Sequence, residues 1–362
     1  MFNFEKLSLV QFKNYASAAF SLNERIIGIC GKNGVGKTNL LDALHYLCFT
    51  KSYFTRDANN IRLGSQGFRI EGHVNLLDQK EKVVCILRET GKKEFLLNDE
   101  AYAKFSQHIG RYPCVMIAPD DIQLIIGIPE ERRKFIDTIL SQLSAEYLQN
   151  LIAYTKILQQ RNACLKSIAE SNMRDLSLLD VLDEQLVKPG NFVFEKRKSF
   201  MVGFLPQSKQ LYEEIARQPE NISMYYNSEL MDTSFGELLK TNRQKDLASM
   251  RTSGGVHRDD LELNFNNLPF KQVASQGQRK SLLFALKLAE MEVLKKEKKF
   301  TPVLMLDDVF EKLDEERINN LLERVCLLND GQVFITDTNE KRLEAQLIKM
   351  GKPYQLINLD KD

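Results

Sequence analysis

The chain has 362 residues, 43% of them hydrophobic, enough to bury a substantial core and to divide into two structural units. No run approaches the ~18 apolar residues of a membrane span, and the opening MFNFEKLSLV carries Glu5 and Lys6 where a signal peptide is apolar; a soluble cytoplasmic protein is expected, with no membrane partner. Its 50 Lys and Arg against 49 Asp and Glu leave a formal net charge of +1, so any site for a polyanion has to be a local patch.

In chain order, residues 4–10 and 17–20 read as short strands joined by a turn over 12–17, so the first sheet is expected to start antiparallel and to lead into the strand of the next motif. Residues 25–48, RIIGICGKNGVGKTNLLDALHYLC, read as strand, glycine-rich turn and helix, with Leu40, Leu41, Leu44 and Leu47 on helical spacing. The turn Gly31, Lys32, Asn33, Gly34, Val35, Gly36, Lys37, Thr38 satisfies GxxxxGK[ST] at every fixed position. Its glycines let successive N–H groups face phosphate oxygens. Lys37 then reaches the β- and γ-phosphates, the Thr38 hydroxyl serves Mg²⁺, and Asn39 continues into the helix whose positive end faces the anion. The expected ligand is a nucleotide carrying β- and γ-phosphates, together with Mg²⁺.

Residues 50–62 (TKSYFTRDANNIR) have the composition of an exposed loop. Phe68–Leu76 and the runs 82–88 and 94–98 alternate with period two between turn residues, which predicts an antiparallel β subdomain. His73, on one of these strands, is expected to pack. A strand-like run at 113–118 followed by Pro119-Asp120-Asp121 marks a boundary between lobes. From Glu130 the apolar positions Phe135, Ile136, Ile139, Leu140, Leu143, Tyr147, Leu148, Leu151, Ile152, Tyr154, Ile157 and Leu158 keep a helical period. A second helical stretch over 178–214, after a polar break at Ser171-Asn172 and with Pro189-Gly190 as a point of kinking or division, would complete a short hairpin. The triplets Arg132-Arg133-Lys134 and Lys196-Arg197-Lys198 read either as solvated helix faces or as DNA contacts.

Near the C-terminus, residues 247–260 form a glycine turn flanked by charge. Ser275-Gln276-Gly277-Gln278 stands directly before a strong helix, and TPVLMLDD is an apolar strand ending in two carboxylates. Asp307 is placed to reach Mg²⁺ and Asp308 to orient or deprotonate an attacking water. GQVFIT is a further buried strand, and the last run, 354–359, is expected to close the sheet. The cysteines Cys30, Cys48, Cys85, Cys114, Cys164 and Cys326 form no CxxC pair, so buried thiols are expected in place of a zinc site or disulfides.

SQGQ has the form of the ATP-binding-cassette signature, in which a Ser hydroxyl, a Gly N–H and a helix N-terminus bind the γ-phosphate held by a second head. Leu313-Asp314 stands where that class has its D-loop. Taken with LSLVQFKNY, GKNGVGKTNLLDAL, GIPEERRKFID, TSGGVHRDDL and LDDVFEKLD in the same order, the chain closely resembles the RecF family of bacterial recombination mediators, relatives of the SMC and Rad50 ATPases. The resemblance implies an α/β fold: a P-loop ABC-type ATPase head, with a mixed sheet and an antiparallel β subdomain, carrying an inserted helical lobe II. The expected division is 1–120 and 296–362 for lobe I and 121–295 for lobe II. It further implies a slow, DNA-stimulated ATPase that forms an ATP-dependent homodimer on gapped, duplex or single-stranded DNA. Such a protein works with RecO and RecR to load RecA, and is needed for SOS induction. Lys37, Asp307 and Asp308 would be catalytic, Gly31 to Asn39 with Ser275, Gly277 and Gln278 would bind nucleotide, and Thr38 with Asp307 would hold the metal. Lys51, Arg56, Arg132, Arg133, Lys196 and Arg197 are the DNA candidates.

Two departures stand out: Asp308 replaces the Glu of many cassette ATPases, and Thr336-Asp337-Thr338 has no switch His. Arg258 either pairs with Asp259 or Asp260 or, with His257, reaches a dimer partner or DNA. A transporter ATPase subunit and a non-hydrolytic interaction module are the competing classes. The missing His and the helical insertion speak against the first, and phosphate release with and without DNA separates the second.

Overall fold

The computed structural model describes residues 1–171, 175–216, 220–308, 320 and 322–360. The chain runs through β1 (Phe2–Phe12), β2 (Tyr15–Ser21), β3 (Ile26–Cys30), α1 (Lys37–Phe49), β4 (Phe68–Leu76), β5 (Gln79–Leu87), β6 (Lys93–Leu97), β7 (Glu100–Ala101) and β8 (Cys114–Ile117). Then come α2 (Gln123–Ile126), α3 (Pro129–Leu143), α4 (Ala145–Ser171), α5 (Ser177–Ala216), β9 (Ile222–Asn227), α6 (Phe235–Ser249), β10 (Asp260–Phe265), β11 (Leu268–Pro269), α7 (Phe270–Val273) and α8 (Gln276–Lys298). It ends with β12 (Val303–Leu306), β13 (Val333–Asp337), α9 (Glu340–Lys349) and β14 (Tyr354–Asn358). Two compact units result: Met1–Asp121 with Glu214–Arg217 and Lys280–Asp362, and Ile122–Glu213 with Gln218–Arg279. The expected return to lobe I at residue 296 therefore differs from the return at Lys280. Leu282, Leu283, Leu286 and Leu294 bury most of α8 beyond its first turn, whereas SQGQ stays in the second unit.

The first unit holds two sheets. In one, ordered β2-β1-β4-β5-β6-β7, neighbours are antiparallel, and the even residues of β4 (Phe68, Ile70, Val74) turn inward. The other, ordered β14-β3-β13-β12-β8, is parallel. β3, β8, β12 and β13 are buried at every residue, and this is why their sequences are apolar runs without alternation, broken only by Thr336 and Asp337 at the C-terminal end of β13. Sequence alone led β1 and β2 into the sheet of β3. In fact β3 leaves them for the parallel sheet, and β14 becomes its edge strand beside β3. α1 fills the core with both: Leu40, Leu41, Leu44 and Leu47 pack with Phe4, Leu7 and Ile70 from one sheet and Ile29, Met116 and Phe334 from the other.

Segment 50–62 is only in part the exposed loop expected: Lys51, Thr55, Arg56, Ala58 and Asn59 are exposed, whereas Thr50, Ser52 and Asn60 are buried. Asp42 of α1, fully buried, accepts from Ser52 Oγ (2.7 Å) and the Tyr53 N–H (2.7 Å) and pairs with Lys13 (2.6 Å). Asn60 is fully buried as well. His73 points to the outer face beside Glu71 (3.3 Å) and does not pack in the core. None of the six cysteines is in a disulfide; five are buried and Cys164 is half-buried.

The second unit is helical with a small antiparallel sheet, β11-β10-β9. The helical period from Glu130 is interrupted at Ser144, where α3 ends in an extended residue, and Ile152 is exposed. α5 passes through Pro189 and Pro206 as one helix, so Pro189-Gly190 does not divide it. Gly190 instead lets α5 approach Phe235 and Tyr154. Arg161 of α4, wholly buried, pairs with Asp183 of α5 (2.5 Å) and Asp246 of α6 (2.7 Å), and Leu165, Ile168 and Leu179 form an apolar cluster between α4 and α5.

Candidate nucleotide site

In a parallel sheet the carboxyl ends of the strands are the usual ligand edge, because loops there open between helix N-termini. β3, β12 and β13 all present chemistry at that edge. The register pairs Leu306 with Ile335 and with Ile117, so Asp307 leaves the sheet beside Thr336 and near the loop that follows Cys30.

α1 starts at Lys37 with Gly36 as its N-cap, no capping side chain and no acid in its first turn, which leaves that turn's N–H groups to an anion. Gly36 sits at φ +116°, and a Cβ there would come within 2.8 Å of Asn14 and Tyr15. The close approach is functional scaffolding: Asn14 Nδ2 donates to the Val35 carbonyl (2.7 Å) and Tyr15 Oη to the Gly36 carbonyl (3.0 Å). Asn39 Nδ2 in turn donates to Asn14 Oδ1 (2.7 Å). At the other end of the loop the Lys32 N–H donates to both Asp360 oxygens (3.1 Å each). Lys37 Nζ, buried, donates to the carbonyls of Gly31 (2.9 Å) and Lys32 (3.0 Å). Lys32, Asn33 and Gly34 are exposed.

Thr38 Oγ1 lies 2.9 and 3.1 Å from the two Asp307 oxygens and donates to that carboxylate. Thr336 Oγ1 donates to Asp307 Oδ1 (2.8 Å) and accepts from the Asp308 N–H (2.8 Å). Burial raises the Asp307 pKa above the usual carboxylate value, against the two hydroxyl donors and Lys37, which lower it. Asp308 has φ +45° in the left-handed region, a conformation that Asp tolerates better than most residues. The expected switch position is occupied differently: the buried Asp337 carboxylate accepts from Arg342 Nε (2.7 Å) and the Asn339 N–H (3.1 Å).

Ser275, Gly277 and Gln278 belong to the second unit, so the first unit's site is built without them. The exposed Ser275 caps α8 reciprocally: its Oγ accepts from the Gln278 N–H (3.2 Å) and its N–H donates to Gln278 Oε1 (2.8 Å). The hydroxyl proton is not used in that bond. Leu313-Asp314, the D-loop candidate, lies outside the described residues.

The DNA candidates separate. Arg132 is buried and pairs bidentately with Asp260 (2.7 and 3.0 Å), and Arg197, 2% exposed, pairs with Asp137 (2.8 Å) and Asp259 (2.9 Å). Neither side chain is presented to a ligand; both hold helices to the β9–β10 region. Arg133 donates to the Asp259 carbonyl (2.7 Å). Lys51, Arg56 and Lys196 are exposed. Arg258 is exposed and pairs with neither Asp259 nor Asp260, because Arg197 and Arg132 already hold them. Sequence reasoning missed Asn14, Tyr15, Thr336 and Asp360. The signals for the first two were their position in the turn between two predicted strands and their place at the end of LSLVQFKNY, neither of which names a role, and an ordinary Thr or Asp carries none.

The model of the RecF/RecN/SMC N-terminal domain matches residues 3–355. The DNA replication and repair protein RecF of Flavobacterium johnsoniae is 42% identical over 355 residues, 98% of this chain and 99% of its own. That of Parabacteroides distasonis is 38% identical over 358 residues, 99% and 97% of the two chains. The solved structure of the recombination mediator protein RecF-ATPrS in the RecFOR pathway superposes with a TM-score of 0.86 at 27% identity, over 94% of this chain and 93% of that one. The Smc head domain of Pyrococcus furiosus, at a TM-score of 0.54 and 16% identity, shares the fold. This chain belongs to the RecF family of DNA replication and repair proteins, within the wider group of RecF, RecN and SMC ATPase heads.

Proposed function

We propose that the protein is an ATP-switched DNA clamp of recombinational repair. Two copies pair head to tail around two ATP molecules, hold gapped or duplex DNA in the cytoplasm, and hydrolyse ATP slowly with DNA as stimulus. With RecO and RecR the clamp loads RecA at single-strand gaps, the step on which SOS induction depends. The observation that carries the reading is a division of parts: the phosphate loop, Thr38 and Asp307 in one unit, and an exposed Ser-capped helix N-terminus in the other. RecF-ATP and RecF-ATPrS structures, set in the RecFOR pathway, support the ligand and the partners.

The loop N–H groups and the α1 N-terminus bind the triphosphate, and Lys37 exchanges its two carbonyl partners for phosphate oxygens. A hydroxyl and a carboxylate 2.9 Å apart form the hard-oxygen pair that suits Mg²⁺, so Thr38 and Asp307 would hold it. Bound there, the metal would neutralise charge developing on the β- and γ-phosphate oxygens. Thr336 keeps the Asp307 carboxylate in place. Asp308 orients the attacking water or takes its proton, and its short side chain accords with slow turnover. Ser275, Gly277 and the α8 N-terminus of the second copy close on the γ-phosphate, so the two chains share each site.

The test is Lys37→Met. Light scattering with ATP should find this variant monomeric, with its melting temperature unchanged, while the native chain forms dimers. Native-like ATP-dependent dimers of the variant would end the switch model.

A further inference from the structure

The second unit contains an open cavity of about 460 Å³, lined by Asn227, Ser228, Glu229, Lys245, Arg251 and Arg258 among others. Its charge balance follows from what the surrounding acids are doing. Asp260, also on the wall, is held by Arg132; Asp259 is held by Arg197, Asp246 by Arg161, and Asp180 and Asp183 by Arg243. The carboxylates of the region are consumed by arginines packed inside. Lys245, Arg251 and Arg258 stay exposed, and none of them forms an ion pair among the described residues. Glu229 of the lining is the opposing charge, and among the described residues the cavity has three cations to one carboxylate without an ion pair.

Arg258 is presented by a rigid turn. Gly255 adopts φ +122° where a Cβ would lie 2.7 Å from Phe235 and 2.9 Å from Tyr154 Oη, so the chain presses against the helices there. His257 Nε2 donates to the Thr252 carbonyl (3.1 Å) and the Tyr154 hydroxyl donates to Nδ1 (2.7 Å). Burial holds this imidazole neutral, with its pKa lowered to about 4, so the turn's positive charge is Arg258 alone. A turn fixed this firmly under an exposed guanidinium loses little freedom when an anion docks.

The lining carries no aromatic or aliphatic side chain, so it offers no aromatic platform for a base, while its exposed cations suit a phosphate. We propose that this cavity is a seat for the phosphodiester backbone of DNA, gripped by Arg258, Arg251 and Lys245 without regard to base sequence. The inference rests on the DNA-binding reading above and gives it a place on the molecule that the buried Arg132 and Arg197 of the basic triplets do not supply.

Fluorescence anisotropy of a labelled duplex, read across a salt series, tests it. Each of Arg258→Glu, Arg251→Glu and Lys245→Glu should weaken binding about tenfold or more at low salt and make the log–log salt slope shallower by about 0.9 for each phosphate no longer neutralised. Arg258→Lys should keep most of the affinity, and ATP binding should be native in all four. Native affinity and slope in the three reversals, with wild-type binding intact, would overturn the cavity assignment alone. Absence of DNA binding by the wild type would overturn the DNA reading and this site with it. Should one reversal fail to fold by circular dichroism, the other two decide.

Discussion

Thr336 does two jobs with one oxygen, fixing the Asp307 carboxylate and catching the backbone N–H of Asp308. The turn that puts Asp308 at φ +45° is thereby tied to the Asp307 carboxylate. Asn is as tolerant of that conformation as Asp, whereas Ala would add about 1 kcal/mol of backbone strain. Asp308→Asn is therefore the clean removal of charge. It should slow phosphate release by about 100-fold or more while ATP-dependent association, read by light scattering, persists. Wild-type turnover in this variant would remove Asp308 from the chemistry. Asp307, Lys37 and Thr38 were legible because their motifs impose spacing on residue types that chance seldom aligns. Thr336 was not, since its role exists only once β12 and β13 lie in register. The arginine triplets misled for a related reason: a run of charge does not say which member turns inward, and Arg132 and Arg197 are the ones that do.

Among the elements, α8 carries an unusual pair of buried charges. Lys287 lies 3.5 Å from Asp121 and 3.3 Å from the Tyr53 hydroxyl, so β8's end and the 50–62 segment both lean on it. Glu290, 2% exposed, is 4.0 Å from Lys287, and its Oε2 has no hydrogen-bond partner among the described residues. Burial raises its pKa from the ordinary 4.5 to about 7, with Lys287 pulling the other way. The folded protein therefore retains a proton that the unfolded chain releases between pH 4.5 and 7. Stability attributable to this group is complete below 4.5, declines as pH rises through that window by about 3 kcal/mol, and is level above it. Glu290→Gln should flatten this part of the urea-midpoint profile between pH 5 and 8 and raise the midpoint at pH 8. An unchanged profile would mean that Glu290 is ionised throughout. Strands and helices of this size were legible from period, as β4, β5 and α1 illustrate. The inward-held part of the polar segment after α1 was not, because Ser52 and Tyr53 are drawn in by hydrogen bonds to Asp42 rather than by apolar side chains.

For the whole molecule the decisive question is whether each ATP is shared. Lys37→Met spoils the phosphate loop and Ser275→Arg the capped helix end, so each variant alone should be inactive. A mixture of the two should regain hydrolysis, since pairing a Ser275→Arg loop with a Lys37→Met signature restores one complete site per mixed dimer. Phosphate release that stays at the level of either variant alone would argue for a site completed within one chain. A phosphate-loop head was legible from motif order and the antiparallel β4–β6 sheet from alternation, but the allocation of β1 and β2 to that sheet, apart from β3, was not. A short apolar run such as β3 does not announce its neighbours, and here they come from residues far later in the chain.

That allocation also sets a timetable for synthesis. β3 and β8 leave the ribosome early, yet the strands that separate them, β13 and β12, are translated after the entire second unit. A nascent chain therefore owns a phosphate loop long before it owns Asp307 or Thr336, and pairing over so long a stretch is slow. Until the last tens of residues emerge, β3 and β8 expose unsatisfied ladder edges. Premature pairing between them is the misfolding hazard that this topology creates for translation.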